Sequence, residues 1–187
     1  MDKSFARSHM RNLRSALTSD ERMAKSEEIC RKFLDSSEYK NASAILMYKA
    51  YNNEVDTDPV LDAALSSGKT VAFPRSRIID GEPEMSFYIV NGRDDFVIGY
   101  KGICEPDEYC AEFSQKADIC ITPGLAFDRA CHRVGYGKAF YDRFLRKTEV
   151  GTVIGFAYDC QIADEIEADD TDISTDMVIT ETSVYRR

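Results

Sequence analysis

Ile119-Cys-Ile-Thr-Pro-Gly-Leu-Ala-Phe-Asp128, then Arg133-Val-Gly-Tyr-Gly-Lys-Ala-Phe-Tyr-Asp142 and Arg143-Phe-Leu145, is the stretch from which the chain is best read. Ile119 to Thr122 is short and apolar enough to be a central strand buried on both faces. Phe140, Phe144 and Leu145 recur at helical spacing. Between them lie Gly135 and Gly137, which allow close backbone approach and unusual dihedrals. A strand, a glycine-bearing loop and a helix in that order predict a parallel α/β sheet, whose ligands gather at the carboxyl ends of the strands.

The same alternation extends outward in both directions. Ala44 to Tyr48, Thr70 to Phe73, Met85 to Val90 and Val153 to Ala157 read as strands, and Met177 to Thr180 as the last one. Asp56 or Thr57 caps a helix with Pro59 in its first turn and Gly68 just beyond its end. A first helix spans about Asp2 to Leu17, with Ala6, Met10, Leu13 and Leu17 as its apolar stripe. Lys3, Arg7, Arg11 and Arg14 make a basic stripe beside it, over about 80° of the helix. Thr18 or Ser19 caps a second helix, with Met23, Cys30 and Phe33 facing the core. The sheet is expected to be mainly parallel and covered on both faces, in one domain of 187 residues.

Composition narrows the function. A net charge of −9 argues against broad phosphate neutralisation and hence against a nucleic-acid partner. An acidic protein that binds an anion must concentrate its cations locally. No apolar run is long enough to span a bilayer, and none follows the basic start as a signal peptide would require, so no membrane partner is expected. Six scattered cysteines without a C-x-x-C pair, and two distant histidines, argue against zinc and for reduced thiols in a cytoplasm. Cys120, inside an apolar run, is expected to pack as a small hydrophobe.

The 133–142 segment holds the parts of a phosphate cradle. Its glycines admit a ligand, the following helix offers free amide protons, and Arg133 and Lys138 add formal charge. Two nucleotide motifs are excluded. The P-loop requires Gly at His132 and Ser or Thr at Ala139, and the dinucleotide pattern requires Gly at Phe140. Two glycines alone also suit a plain strand-to-helix turn.

The wider pattern favours a ligand. Ala126-Phe-Asp128 through Tyr141-Asp-Arg143 resembles the signature of the 5-formyltetrahydrofolate cyclo-ligase family. Lys3-x-x-x-Arg7 with Leu13-Arg14, Asn53-Glu-Val-Asp-Thr57, Phe73-Pro-Arg75, Gly102-Ile-Cys-Glu-Pro106, Asp172-x-x-x-Asp176 and Ile179-Thr-Glu181 match in the same order. The resemblance implies a three-layer α/β/α sandwich related to sugar-phosphate isomerases and CoA transferases. It also implies ATP- and magnesium-dependent cyclisation of 5-formyltetrahydrofolate to 5,10-methenyltetrahydrofolate, through phosphorylation of the formyl oxygen.

By the same resemblance, Lys3, Arg7 and the loop Arg133, Val134, Gly135, Tyr136, Gly137, Lys138, Ala139, Phe140 and Tyr141 would bind ATP, with Arg133 and Lys138 catalytic. Asp142 and Asp172 would hold Mg2+, with Asp169, Asp170 and Asp176 as competitors for the second place. Glu54 would meet the pterin N–H donors, and Lys49, Tyr136, Lys138 and Phe140 the rest of the folate, with Tyr51 in the same cleft. His132 is read as a loop residue. A monomer acting on small molecules is expected. Cys131 and Ala139 stand where the family has glycine, and Phe140 where it has tyrosine. Three alternatives remain open. The chain could be a non-catalytic or weakly active folate- or nucleotide-binding paralogue, or an isomerase or transferase relative, and the basic stripe of the first helix could be a solvated face or part of a transit peptide.

Overall fold

The computed structural model describes residues 1–99, 102–169 and 172–187. Its helices are α1 (Lys3–Ala16), α2 (Ser19–Asp35), α3 (Ser37–Asn41), α4 (Asp58–Ser66) and α5 (Phe140–Lys147). The main sheet contains β1 (Ala44–Leu46), β2 (Thr70–Ile79), β3 (Glu82–Val90), β6 (Ala117–Thr122), β9 (Val150–Phe156), β11 (Met177–Ile179) and β12 (Val184–Arg186). They run in the order β12-β11-β9-β6-β1-β2-β3. All neighbours from β11 to β2 are parallel, and only the two edge strands are antiparallel.

Helices cover both faces, as apolar strands in a parallel sheet require. On one face, Ile29 and Phe33 of α2 and Val60 and Leu61 of α4 pack with Ile45, Phe73 and Phe156. On the other, Phe144 and Leu145 of α5 pack with Leu46, Cys120 and Phe87. Cys120 is fully buried, and burial pushes its thiol pKa up to about 12, the inert packing role expected of it. A small sheet of β7 (Ala126–Asp128), β8 (Arg133–Val134) and β10 (Ile162–Ala163) carries α1, with Ala6 and Met10 against Ala126, Val134 and Ala163.

Several local expectations are corrected. Strand β2 runs on to Ile79 because β3 pairs with it antiparallel from Val71↔Val90 to Ile79↔Glu82. Asp80 and Gly81 turn the hairpin with φ of +50° and +82°, the primed turn that matches strand twist. Its outer half overhangs the parallel sheet and is braced by β4 (Phe96–Ile98) and β5 (Cys104–Pro106), where Arg77 grips the buried Glu105 with bonds of 2.9 and 2.7 Å. Met177–Ile179 is not the last strand; β12 follows it.

In α1 the third buried position is Arg14, not Leu13, which is 39% exposed. A buried arginine is tolerated only with partners, and Arg14 finds them inside the loop region. Met23 of α2 is 60% exposed, and Ser26, Ile29, Cys30 and Phe33 make the buried face. Thr18 closes a capping box with Glu21, satisfying amides at both ends of the turn. Thr57 is the N-cap residue of α4 without capping it, since its hydroxyl donates to the Tyr48 carbonyl at 2.6 Å. The Asp56 carboxylate instead accepts from the Asp58 amide at 3.0 Å.

Candidate active site

From β1 the chain order steps to β2 on one side, while β6 lies on the other. The two carboxyl ends therefore diverge at a switch point, where a crevice must open. A cleft of about 520 Å³ lies there. The loop after β1, the 133–142 segment after β6, the start of α1 and the β2–β3 arm surround it. Every residue assigned a role from the sequence lines it: Lys3, Arg7, Lys49, Glu54, each position from Arg133 to Asp142, and Asp172. Tyr51 lines it as well.

The central loop is shaped by its backbone. Gly137 has φ +90°, a left-handed conformation that suits glycine, and its missing Cβ would lie 3.8 Å from Arg7 Nε. That nitrogen donates to the Gly135 carbonyl at 3.1 Å, so α1 is tied directly to the loop. Ala139 is left-handed too, at φ +53°, and precedes α5 without a side-chain cap, which leaves the first amides of α5 for a ligand. Cys131 has φ +66°. Both residues that replace family glycines therefore adopt the conformation glycine favours.

Arg133 is buried and donates to Asp142 Oδ1 at 2.8 Å, while its Nε has no hydrogen-bond partner among the described residues. Its guanidinium lies 5.6 Å from the ring centre of Tyr141, whose buried hydroxyl is likewise unmet and pushed well up in pKa by burial. Lys138 is exposed. The loop also depends on Asp128, which the motif reading did not single out for a role. Asp128 is buried and accepts from the Ala130, His132 and Ile166 amides and the His132 ring at 2.9 to 3.0 Å. His132 is thus engaged in holding the turn.

Lys3 bridges Asp169, at 2.6 Å, and Asp172. Burial disfavours the ammonium charge, but the two carboxylates outweigh it and raise the Lys3 pKa. Burial also opposes the Asp172 charge, yet Lys3 and the Asp169 amide prevail and lower its pKa. Asp169 is an exposed partner of Lys3, Asp176 instead accepts from the Val153 amide at 2.7 Å, and Asp170 lies outside the described residues.

The donor chemistry of Asp142 and Asp172 suits magnesium, a hard ion that takes one or two carboxylates and fills its octahedron with water and phosphate oxygens. Both hydrogen bonds to Asp142 fall on Oδ1, and both contacts to Asp172 fall on Oδ2. Each carboxylate thus keeps one oxygen without a protein hydrogen bond among the described residues. No cluster of three or more metal-binding side chains occurs among those residues.

Glu54 lines the cleft from the loop after β1. Asn52 and Asn53, at φ +48° and +63°, turn the chain so that Glu54 Oε2 accepts from the Tyr51 amide at 2.9 Å. Asparagine adopts this region more readily than most residues. Glu54 Oε1 accepts from the Tyr136 hydroxyl. Burial raises the Glu54 pKa, while Tyr136, the Tyr51 amide and Arg14 act against the rise. Lys49 is held by Asp58 and lies 5.1 Å from the Phe96 ring centre, so it borders the cleft as part of an ion pair.

A family model matches residues 1–181, that of the 5-formyltetrahydrofolate cyclo-ligase family. The chain belongs to this family. The 5-formyltetrahydrofolate cyclo-ligase of Escherichia coli K12 is 25% identical over 94% of this chain and 98% of its own length. The mouse enzyme of the same name is 25% identical over 95% and 92%. The solution structure of the Aquifex aeolicus 5,10-methenyltetrahydrofolate synthetase superposes with a TM-score of 0.84 at 31% identity, covering 98% of this chain and 92% of that one. The resemblance read from the motifs is thereby borne out.

Within this cyclo-ligase framework, the motif reading missed Arg14 as a buried site residue and the cleft wall formed by Ser76, Met85, Ile103 and Cys104. Arg14 carried a signal, since it sits on the basic stripe beside Lys3 and Arg7. The wall carried a signal too: Asp80-Gly81 is a hairpin-turn dipeptide that sets Ser76 opposite Met85, and Ile103 and Cys104 lie in the Gly102–Pro106 segment that matched the family pattern.

Proposed function

We propose that this protein cyclises 5-formyltetrahydrofolate to 5,10-methenyltetrahydrofolate, with ATP converted to ADP and phosphate and with magnesium required. The observation that carries the reading is a single cleft lined both by a cationic loop whose arginine is under-bonded and by a buried carboxylate. The first suits a triphosphate, and the second suits the paired N–H donors of a pterin.

The chemistry follows from the substrate. A formamide oxygen is a poor leaving group, so it attacks the γ-phosphorus, and the bond from phosphorus to the ADP oxygen breaks. The neighbouring secondary amine then attacks the activated carbon and gives up its proton, the ring closes, and phosphate leaves with the former formyl oxygen. Nucleophile and electrophile share one molecule, so little entropy is lost. The protein's task is positioning and charge neutralisation.

Arg133, Lys138, Arg7 and Lys3 neutralise the phosphates, the glycine loop and the α5 amides cradle them, and Glu54 with Tyr136 and Phe140 fixes the folate. Lys49 and Tyr51 complete that lining. For Lys3 this requires exchanging carboxylates for phosphate oxygens. Magnesium, held by Asp142 and Asp172, would supply further positive charge on the transferring phosphoryl group.

Mixing the protein with 5-formyltetrahydrofolate, ATP and magnesium should produce the methenyl chromophore in the near ultraviolet. Ala139 and Cys131, both left-handed where the family pattern has glycine, favour a second reading as a binding protein without turnover. Tight binding of both substrates with no chromophore would select it, and binding of neither would defeat both. We also read the chain as one domain with a fold related to sugar-phosphate isomerases and CoA transferases, and as a cytoplasmic monomer without nucleic-acid or membrane partners. Six free thiols and the acidic charge support this placement, and no helix among the described residues is long and apolar enough to cross a membrane.

A further inference from the structure

Arg14 is 1% exposed, among the largest fully buried side chains, and it stands on the same helical face as Lys3 and Arg7, about two turns beyond Arg7. Its Nη2 donates to the Tyr136 hydroxyl at 2.8 Å and to the Asn52 carbonyl at 2.9 Å, and its Nη1 donates to the Gly124 carbonyl at 3.3 Å. The guanidinium carbon lies 5.9 Å from the Tyr136 ring centre. The Tyr136 hydroxyl passes the chain on to Glu54 Oε1. One cation thus reaches from α1 to three places: the strand-end turn at Gly124, the asparagine turn that presents Glu54, and the tyrosine that touches the Glu54 carboxylate.

We propose that Arg14 is the positioning residue of the folate site, fixing Tyr136 and the Asn52 turn so that Glu54 is held as an oriented carboxylate. This rests on the reading of Glu54 as the partner of the pterin N–H groups. A carboxylate accepts hydrogen bonds at both oxygens, whereas its protonated form turns one of them into a donor that repels an N–H.

The surroundings otherwise oppose the charge. Around Glu54 stand the phenols of Tyr48, Tyr136 and Tyr141, Tyr158 donates to the Glu54 carbonyl at 3.2 Å, and among the described residues Arg14 is the one cation acting on its carboxylate. Burial pushes toward protonation, while the donating Tyr136 hydroxyl, the Tyr51 amide and Arg14 push back. Lysine would keep a charge at position 14 but could not fork across the two carbonyls and the hydroxyl together.

The test measures 5-formyltetrahydrofolate and ATP binding separately, between about pH 5.5 and about pH 8.5, for the wild type, Arg14→Lys, Arg14→Met and Tyr136→Phe. Loss of the network should move the acid limb of folate binding upward by about one pH unit, which reads as a folate Kd up to roughly ten-fold weaker on the acid side of the limb that recovers as pH rises. For the Arg14 variants ATP affinity should stay within about two-fold of wild type, since the triphosphate contacts lie on other residues, while Tyr136→Phe, itself in the phosphate loop, is read by its folate profile alone. A purely structural role would instead weaken both ligands equally at every pH, and that result, like an unchanged folate profile, would overturn the proposal. Where Arg14→Met does not fold, Arg14→Lys decides by the same criteria and Tyr136→Phe by the shift of its folate profile. If the wild type itself binds no 5-formyltetrahydrofolate, the functional reading fails rather than this one.

Discussion

Replacing Ala139 with glycine should make this protein more stable, against the usual direction of such a change. Ala139 has φ +53° and ψ +24° just before α5. An L-residue in this region is strained by about 1–2 kcal/mol through its Cβ. Removing the methyl relieves that strain, while the freer unfolded chain of a glycine variant costs about 0.4–1 kcal/mol. The net gain is about 0.5–1 kcal/mol, and for a chain of this size it raises Tm by about 2–3 °C. No large packing loss opposes it, because Ala139 is exposed.

The control is Ala130→Gly, an exposed turn alanine nearby that does not have positive φ. Only the entropic cost applies there, so Tm should fall. Urea and thermal unfolding of both variants give the comparison. If Ala139→Gly lowers stability as Ala130→Gly does, the strain at this loop is not real. Cys131→Gly serves as a second contrast. Its φ is +66°, but its side chain is fully buried against Phe127, Ala157 and Val178, so lost packing should cancel the relief.

Lys3→Ala should weaken ATP binding about ten-fold or more while moving folate binding little, and calorimetric titration of each ligand separates the two. Equal loss of both would remove the α1 stripe from the phosphate site. Asp142→Asn keeps an acceptor for Arg133 but loses the charge, so turnover should fall about 100-fold with the fold intact by circular dichroism. Near-normal turnover at limiting magnesium would contradict the metal assignment. Asp118 has its pKa lowered by the Ser43 and Ala44 amides, at 2.7 and 2.9 Å. A depressed carboxylate stabilises the fold above its unfolded pKa, and the contribution is lost as pH falls through the folded one. The stability gap between wild type and Asp118→Asn, a few tenths of a kcal/mol after solvent screening, should therefore close below about pH 4. A gap that persists in acid would show that the two amide bonds do not depend on the charge.

The local patterns were legible where one short segment carries its own signal. The apolar run at Ile119 to Thr122 became the strand at the sheet's centre, and Phe144 and Leu145, with Tyr141 rather than Phe140, became the packed face of α5. The cationic loop was legible from its residue types, and Glu54 only through the resemblance to the family pattern. The β2–β3 arm was read short because its outer half is fixed by a partner strand. Leu13 and Met23 were misplaced because helical period locates a stripe without saying which residues find neighbours.

The sequence by itself determined the α/β class, the family and the inventory of charged residues around the phosphate loop, since strand length, helical period and motif spacing are properties of neighbouring residues. Tertiary structure alone decided what those charges do to one another. Arg14 lies 40 positions from Glu54 and 122 from Tyr136, and only the folded packing of α1 against the loops brings the three into one network. Burial and partner distance set a carboxylate's charge, and neither exists until the chain has closed around it.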